Sequence, residues 1–504
     1  MRLQKSIKNL IYSFGYYLIN VLCTFILRKI MLATIGLAGV SLNSLFHEII
    51  VMMSLSEMGV GTAIVYNLYK PLNEKNEQKI KELMSFFKFI YFLIAGVMIA
   101  IGVVLLPFIQ NIVNSTGYEI SYMRYIFFLF VIQTSVSYCF AYKRSLAAAD
   151  QKNYVSATID SVFKLATILV SCVVLWITKR FDIYLIATII LSFANNLAIS
   201  IRVDKIYPFL KNNKEKLPPD EIKGVFSNVK NLFISKVSGT VTNSTDNILI
   251  SVLVNTLEVG RYANYALIIN AFKQILVQMT NAIQGSVGNL YAEGNFKHMD
   301  EVLRRLTYIY FVGSTIFSCG YLCCATAFID IVFGKEYELP VAVVVVTAVN
   351  LYFHAVREPI WQMFSVSGLF KQDKTIGIIG TVVNLIVSIL IGIYYGMVGI
   401  FLGTLCTYLV QIVLKIPILY KKGLYMEWKG FFIYWLKLFL IFILCTGICG
   451  FVCSQVSIGN PLISFVAQGA LAVMISGLII LAFTYKSEEL VYYKGLLLKL
   501  RKKG

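Results

Sequence analysis

Long apolar runs, separated by short polar segments, follow one another along almost the whole chain. A helix needs about 20 apolar residues to cross the hydrocarbon core of a bilayer. The runs therefore predict fourteen membrane-spanning helices, here called spans 1 to 14, near residues 9–30, 40–66, 86–109, 122–144, 156–177, 183–203, 228–253, 259–287, 303–329, 340–369, 375–395, 397–419, 431–453 and 461–484. The predicted fold class is an all-α integral membrane protein.

Composition excludes an ordinary soluble domain, because 58% of the 504 residues are hydrophobic and only 14% are charged. The net charge of +19 would suggest nucleic acid as the partner of a soluble protein. Here 34 of the 45 Lys and Arg residues lie in or beside segments on the side of the N-terminus. The segments on the other side hold only Lys179, Arg180 and Lys335. The positive-inside rule then places both termini in the cytoplasm and removes the need for a nucleic-acid partner.

The longest hydrophilic segment, 204–227, contains Pro218 and Pro219, which a helix interior does not tolerate. It is predicted to be a cytoplasmic linker between an N-terminal lobe, residues 1–203, and a C-terminal lobe, residues 228–419. Two further spans occupy 420–485. The tail, 486–504, is basic and alternates charge with leucines, so we expect it to lie on anionic membrane lipids.

The two lobes resemble each other in sequence. Asn67-Leu68-Tyr69 recurs as Asn289-Leu290-Tyr291, and Ile90-Tyr91-Phe92 recurs as Ile309-Tyr310-Phe311. Each lobe has six predicted spans, so both enter the membrane in the same direction. The sequence thus predicts two parallel six-helix repeats that form two lobes around a polar cleft.

Polar side chains recur at helical spacing on the first two spans of each lobe. A polar side chain that faces lipid is costly, so such stripes turn towards protein or a water-filled cavity. The stripes comprise Ser13, Tyr17, Asn20, Thr24 and Arg28 on span 1; Asn43, His47, Ser54 and Glu57 on span 2; Asn228, Asn231, Ser235, Ser238, Thr242 and Asp246 on span 7; and Asn270, Gln274, Gln278 and Asn281, with Lys273 beside them, on span 8. The four faces predict the lining of the cleft.

Span 10 adds Asn350, His354, Arg357 and Trp361 on one face, with Glu358 adjacent. An alternative interpretation of this group is a hydrogen-bonded cluster of Arg357 with Glu358 or His354 that only holds helices together. On span 5, Asp160 and Lys164 are four residues apart and are predicted to neutralise each other. Eight basic and five acidic residues at membrane depth predict a cationic cleft.

From these patterns we predict Arg28, Lys273 and Arg357 as contacts for an anionic substrate. Arg binds phosphate oxygens through a planar fork, and amides and hydroxyls suit sugar hydroxyls. The predicted lining residues are Asn20, Thr24, His47, Ser238, Thr242, Asn270, Gln274 and His354. The residues predicted either to pair with a cation or to bind a coupling ion are Asp246, Glu48 and Glu358.

The cysteines do not suggest metal chemistry or disulfides. No Cys-x-x-Cys motif occurs, and Cys445, Cys449 and Cys453 share one face of span 13, which is typical of close helix packing. We predict no catalytic residue, metal ligand or cofactor, and no enzymatic activity.

The segment Ser244-Thr245-Asp246-Asn247-Ile248-Leu249-Ile250-Ser251, followed by Val259-Gly260-Arg261-Tyr262 and Tyr265, resembles the span 7 to span 8 signature of the polysaccharide transporter family. This family comprises the Wzx-type flippases for O-antigen and capsule precursors, within the multidrug/oligosaccharidyl-lipid/polysaccharide exporter superfamily. The resemblance implies alternating access on undecaprenyl-pyrophosphate-linked oligosaccharides in the bacterial inner membrane, with polysaccharide polymerase machinery as a further partner.

Other functions remain open alternatives. A drug exporter of the same superfamily would be expected to carry an acidic residue in span 1, which has none. A lipid II flippase would be expected to carry arginines in both of its first spans, and span 2 has His47 and Glu48 instead. A polysaccharide polymerase or ligase would require a large outward loop, and the predicted outward loops are short. A scaffold without transport would not need four polar stripes.

The charge distribution predicts that single cysteines placed in the 204–227 linker react with a membrane-impermeant thiol reagent only from the cytoplasmic side. The native cysteines are replaced first, and labelling is compared in intact and permeabilised cells. Labelling of the linker in intact cells would contradict the topology.

Overall fold

The computed structural model describes residues 2–54, 60–114, 116–210, 213, 215–218, 222, 245–456 and 460–501. Within these ranges the chain is helical and has no β-strand. The helices are α1 (Arg2–Met53), α2 (Val60–Asn73), α3 (Glu77–Leu105), α4 (Ile109–Ile112), α5 (Ile120–Ala149), α6 (Asn153–Thr178), α7 (Phe181–Ile206), α8 (Asp246–Leu253), α9 (Thr256–Ala292), α10 (Phe296–Val332), α11 (Val341–Val356), α12 (Glu358–Val366), α13 (Phe370–Tyr395), α14 (Met397–Ile418), α15 (Lys429–Gln455), α16 (Pro461–Thr484) and α17 (Glu488–Arg501).

Eleven helices among the described residues are long and apolar enough to cross a membrane. This confirms a multi-pass, all-α membrane protein, whereas the number fourteen stays a prediction. Three features explain why the structure gives eleven such helices where the sequence predicts fourteen spans. The eleven include 19–53 as one helix, they omit the polar helix α9, and most of predicted span 7 lies outside the described residues.

The long helix α1 contains a break at Gly36, whose φ of 67° and ψ of −178° are not helical. A straight helix of 52 residues would extend about 78 Å at 1.5 Å per residue, against a hydrocarbon core of about 30 Å. Glycine adopts positive φ without steric cost, so the chain can bend at this position. The break separates residues assigned to span 1 from those assigned to span 2.

The chain divides into two compact units, Met1–Ala263 and Asn264–Gly504. In the first unit, α5 packs against α3 and α7, and α6 packs against α7 and α1. Phe46 of α1 makes edge contacts with Phe127 and Phe130 of α5, at ring-centroid distances of 5.3 and 6.0 Å. Aromatic rings therefore join α1 to α5 in the core of this unit.

In the second unit, α10 packs against α11, α15 and α16, and α13 packs against α14. Tyr352 of α11 stacks on Phe442 of α15 with ring centroids 3.8 Å apart. The row Cys445, Cys449 and Cys453 is buried, and its thiols lie 3.7–4.0 Å from backbone carbonyls of α16. The predicted role of this cysteine face in helix packing is confirmed.

The C-terminal helix α17 is attached to the start of α10. The Tyr493 hydroxyl donates to the backbone carbonyl of Arg305 at 3.1 Å, and the Arg305 guanidinium lies 4.1 Å from the Tyr492 ring centroid. Leu496 and Leu498 remain exposed on α17. An anchored helix with exposed leucines among lysines fits the predicted location of the tail on the membrane surface.

The helix pair α13 and α14 approaches closely at glycines. A β-carbon on Gly399 would lie within 2.5 Å of the backbone nitrogen of Gly392, and one on Gly403 would lie 2.7 Å from the backbone nitrogen of Ser388. Small residues allow two helix backbones to make this approach within a membrane.

We expect Gly399→Ala to lower the thermal unfolding temperature of the detergent-purified protein, because backbone atoms must move to admit the methyl group. The cost of such overpacking is about 1–3 kcal/mol. Gly96→Ala is the matched control, since no atom lies within 4 Å of its added β-carbon. Equal unfolding temperatures for the two variants would contradict the proposed close contact.

Candidate functional site

The polar face of span 10 lies at a break between α11 and α12. Helix α11 ends at Val356, α12 begins at Glu358, and Pro359 occupies the first turn of α12. Proline has no backbone N–H and restricts the residue before it, so it interrupts a continuous helix here. Arg357 is the residue at the junction.

The Arg357 side chain is held by one ring nitrogen and two aromatic rings. Its Nη2 donates to Nδ1 of His354 at 3.1 Å, and the guanidinium lies 4.3 Å from the Tyr408 ring centroid and 5.1 Å from that of Trp361. Nε lies 3.8 Å from a carboxylate oxygen of Glu358, beyond hydrogen-bond distance. Nε is buried and has no hydrogen-bond partner within the described part of the chain. A guanidinium has five N–H donors, so most of the donor capacity of Arg357 is not used.

A second cation, Lys415 of α14, lies beside Trp361. The sequence analysis does not predict it as a site residue. Its Nζ lies 2.5 Å from a carboxylate oxygen of Asp373, 3.6 Å from the Trp361 ring centroid and 4.8 Å from that of Phe364. Lys415 is only 2% exposed. The apolar run from Ile412 to Ile416 around this lysine is the sequence signal that could have identified it.

Lys273 of α9 lies close enough to His354 for its positive charge to act on the imidazole. Together, Lys273, Arg357 and Lys415, with the carboxylates of Glu358 and Asp373, form a group with a net charge of +1, here called the cationic cluster. On the same helix as Lys273, four amide side chains are exposed, namely those of Asn270, Gln274, Gln278 and Asn281. The second unit thus combines one buried and two partly buried cations with a row of amides that protein does not cover.

The structure brings together Lys273, His354, Arg357 and Glu358 among the predicted site residues. Of the two hydrogen bonds considered for span 10, Arg357 makes the one to His354, whereas Glu358 lies beyond hydrogen-bond distance. The helix-locking interpretation does not account for the unused donors of Arg357.

The predicted residues of span 1 and span 2 lie in the first unit. Arg28 interacts electrostatically with Tyr184 of α7, and its Nη1 is buried without a hydrogen-bond partner among the described residues. Asn20 is buried, and the Thr24 hydroxyl donates to the Asn20 backbone carbonyl at 2.8 Å. His47 is exposed. Their role in lining a cleft stays a prediction.

The remaining predicted residues are placed as follows. Glu48 is half-buried on α1, and Asp246 is the first residue of α8. Ser238 and Thr242 lie outside the described residues. The roles assigned to these four residues stay predictions.

The predicted pairing of Asp160 with Lys164 is wrong. Arg144 of α5 instead makes a bidentate contact with Asp160, at 2.7 and 2.9 Å, and also donates to the Asn196 side chain at 3.2 and 3.0 Å. Asn195 donates to Asp160 at 2.8 Å. A planar fork from another helix matches a carboxylate better than a lysine one turn away, so tertiary geometry prevails over the local spacing.

Solved structures provide the comparison for this architecture. The lipid II flippase MurJ, in an inward closed conformation, matches with a TM-score of 0.67 at 15% sequence identity, over 97% of this chain and 100% of that chain. An inward-facing multidrug resistance MATE family transporter of the MOP superfamily matches with a TM-score of 0.59 at 12% identity, over 78% of this chain and 92% of that chain. The Vibrio cholerae MATE transporter VcmN matches with a TM-score of 0.56 at 15% identity, over 83% and 98%.

The chain has the fold of MurJ and the MATE transporters. No family model and no curated protein matches its sequence. In this MurJ/MATE-like fold, the cationic cluster occupies α9, α11, α12, α13 and α14 of the second unit.

The exposed amides of α9 predict that a cysteine at Gln274 reacts with a membrane-impermeant methanethiosulfonate, because an amide face uncovered by protein is stable beside water and costly beside lipid. Two controls in the same cysteine-free background separate burial from lipid exposure. Asn264 is fully buried on the same helix, and Leu440 is 58% exposed on an apolar face of α15. Failure of position 274 to react from either side of the membrane would show that its face is not hydrated.

Proposed function

We propose that this protein is a flippase that translocates undecaprenyl-pyrophosphate-linked oligosaccharide repeat units across the bacterial inner membrane, by alternating access, for O-antigen, capsule or exopolysaccharide biosynthesis. The observation that carries the proposal is the cationic cluster beside the exposed amides of α9, within a MurJ/MATE-like fold. Diphosphate and sugar hydroxyls are the two chemistries that these groups serve.

Arg357 is the central group of this proposal. Its planar fork suits two phosphate oxygens at once, and the Tyr408 and Trp361 rings hold it without using its N–H donors. Lys273 adds a point charge near His354. Lys415 is bound to Asp373 and therefore acts on Trp361 and on the local potential, not as a free phosphate ligand.

In this proposal, the exposed amides of α9 bind the sugar part of the substrate. Asn and Gln each offer both donors and acceptors, which hydroxyls of varied orientation require. Arg28 provides the positive field in the first unit. Glu358 balances Arg357 electrostatically, and Asp246 and Glu48 are proposed to pair with a cation or to bind a coupling ion.

A lipid II flippase is the second candidate, favoured by the match that extends over 97% of this chain and the whole of MurJ. Depletion of the protein in its native bacterium separates the two candidates. The proposal predicts that surface polysaccharide is lost and that lipid-linked repeat units accumulate on the cytoplasmic leaflet, while lipid II stays at its normal level. Accumulation of lipid II alone would favour the second candidate, and accumulation of neither would contradict both.

We expect Arg357→Ala to reduce export of the lipid-linked repeat unit at unchanged protein level, by about tenfold or more, since a charge-assisted bidentate contact contributes about 1.5–3 kcal/mol. Arg357→Lys should recover part of the activity, because it restores charge without the fork. The measurement is flipping of the repeat unit in proteoliposomes.

Lys437→Ala is the matched control for this prediction, because Lys437 is exposed on α15 and lies outside the cationic cluster. It should export normally. Full export by Arg357→Ala would assign Arg357 to helix packing.

A further inference from the structure

The first unit contains a polar pocket, whereas the cationic cluster belongs to the second unit. The pocket has a volume of about 300 Å³ and lies among the end of α5, the end of α7 and the beginning of α3; its polar lining is Ser85, Lys88, Tyr142, Lys143, Asp204 and Asn213. These helix ends border the Lys- and Arg-rich segments. By the positive-inside rule, the pocket faces the cytoplasmic surface of the membrane.

The two lysines of the pocket differ in their partners. Lys143 Nζ is fixed by the Ser200 hydroxyl at 2.7 Å and by a carboxylate oxygen of Asp204 at 2.6 Å. Lys88 is exposed and has no carboxylate at ion-pair distance within the described part of the chain. The pocket therefore holds two cations and one anion, and the Lys88 ammonium is available to an anionic ligand.

Apolar surface continues from this pocket along α3. Lys88 lies 6.0 Å from the Phe92 ring centroid, and Phe89, Phe92 and Leu93 are 64%, 49% and 53% exposed. Large apolar side chains exposed on a membrane-spanning helix face acyl chains. An anionic group at Lys88 would thus have hydrocarbon directly beside it.

We propose that this pocket binds the headgroup of an anionic glycerophospholipid of the cytoplasmic leaflet. The phosphate lies between Lys88 and Lys143, with Ser85 and Tyr142 as hydroxyl donors, and Asp204 accepts a hydrogen bond from a headgroup hydroxyl. A phosphoglycerol headgroup supplies both groups, and its acyl chains lie along Phe89 and Phe92. The site is independent of the proposed export substrate.

The test uses the full chain, purified and delipidated in detergent. Native mass spectrometry measures how much of each probe the protein retains, and the probes are phosphatidylglycerol, phosphatidylcholine and soluble glycerol 3-phosphate. The wild type should retain phosphatidylglycerol about fivefold more than phosphatidylcholine, as expected for about one favourable lysine contact. Lys88→Gln should remove this preference, and Lys88→Arg should keep it.

Lys70→Gln is the matched control, since Lys70 is an exposed lysine of the same unit and lies outside the pocket. It should keep the wild-type preference. The proposal is overturned if Lys88→Gln retains phosphatidylglycerol as the wild type does, or if the wild type does not distinguish the two lipids. Equal retention of soluble glycerol 3-phosphate and phosphatidylglycerol would identify a phosphate site and would also overturn a lipid site.

Discussion

A charge at membrane depth must be neutralised or hydrated, because the hydrocarbon core offers it no solvation. Lys415 shows how strictly this constraint acts, since a lysine that is 2% exposed is matched by a carboxylate at 2.5 Å and an aromatic ring at 3.6 Å. The break between α11 and α12 likewise lies at a charged residue, Arg357. The fold is thus organised around its few polar side chains as much as around its apolar core.

Arg144 and Arg357 illustrate two outcomes of the same constraint. Each comes 16 residues before an aspartate, Asp160 or Asp373, and the two arginines belong to spans 4 and 10, which correspond in the predicted repeats. In the first unit Asp160 binds Arg144 directly. In the second unit Asp373 binds Lys415 instead, so Arg357 is left to His354 and two rings. The two arginines thus differ in their surroundings because Asp160 pairs with Arg144, whereas Asp373 pairs with Lys415 and not with Arg357.

Much of the fold could be predicted from the sequence because apolar length and helical periodicity are local properties. Helices α3, α5 to α7, α9, α10 and α13 to α16 each overlap a predicted span, and α11 and α12 together overlap span 10. The site was predicted less completely, since ion pairs depend on neighbours distant in sequence. Lys415 lies near the end of span 12, where position alone does not distinguish a buried lysine from a loop charge. The spacing of Asp160 and Lys164 likewise contains no information about Arg144 on another helix. The break at Gly36 follows from a backbone conformation that sequence alone does not specify.

The number of N–H donors that already have acceptors distinguishes an arginine that joins helices from one that is suited to bind a ligand. Arg144 makes four contacts with side-chain oxygens of Asp160 and Asn196, so it joins α5, α6 and α7 and has little capacity left. Arg357 makes one hydrogen bond, to His354, and keeps a buried Nε without a partner among the described residues. A buried donor without an acceptor is costly, and an anion that supplies the acceptor would remove that cost. This difference in the number of donors used, more than the presence of charge, is the reason to propose Arg357 as a substrate contact, whereas the contacts of Arg144 join helices.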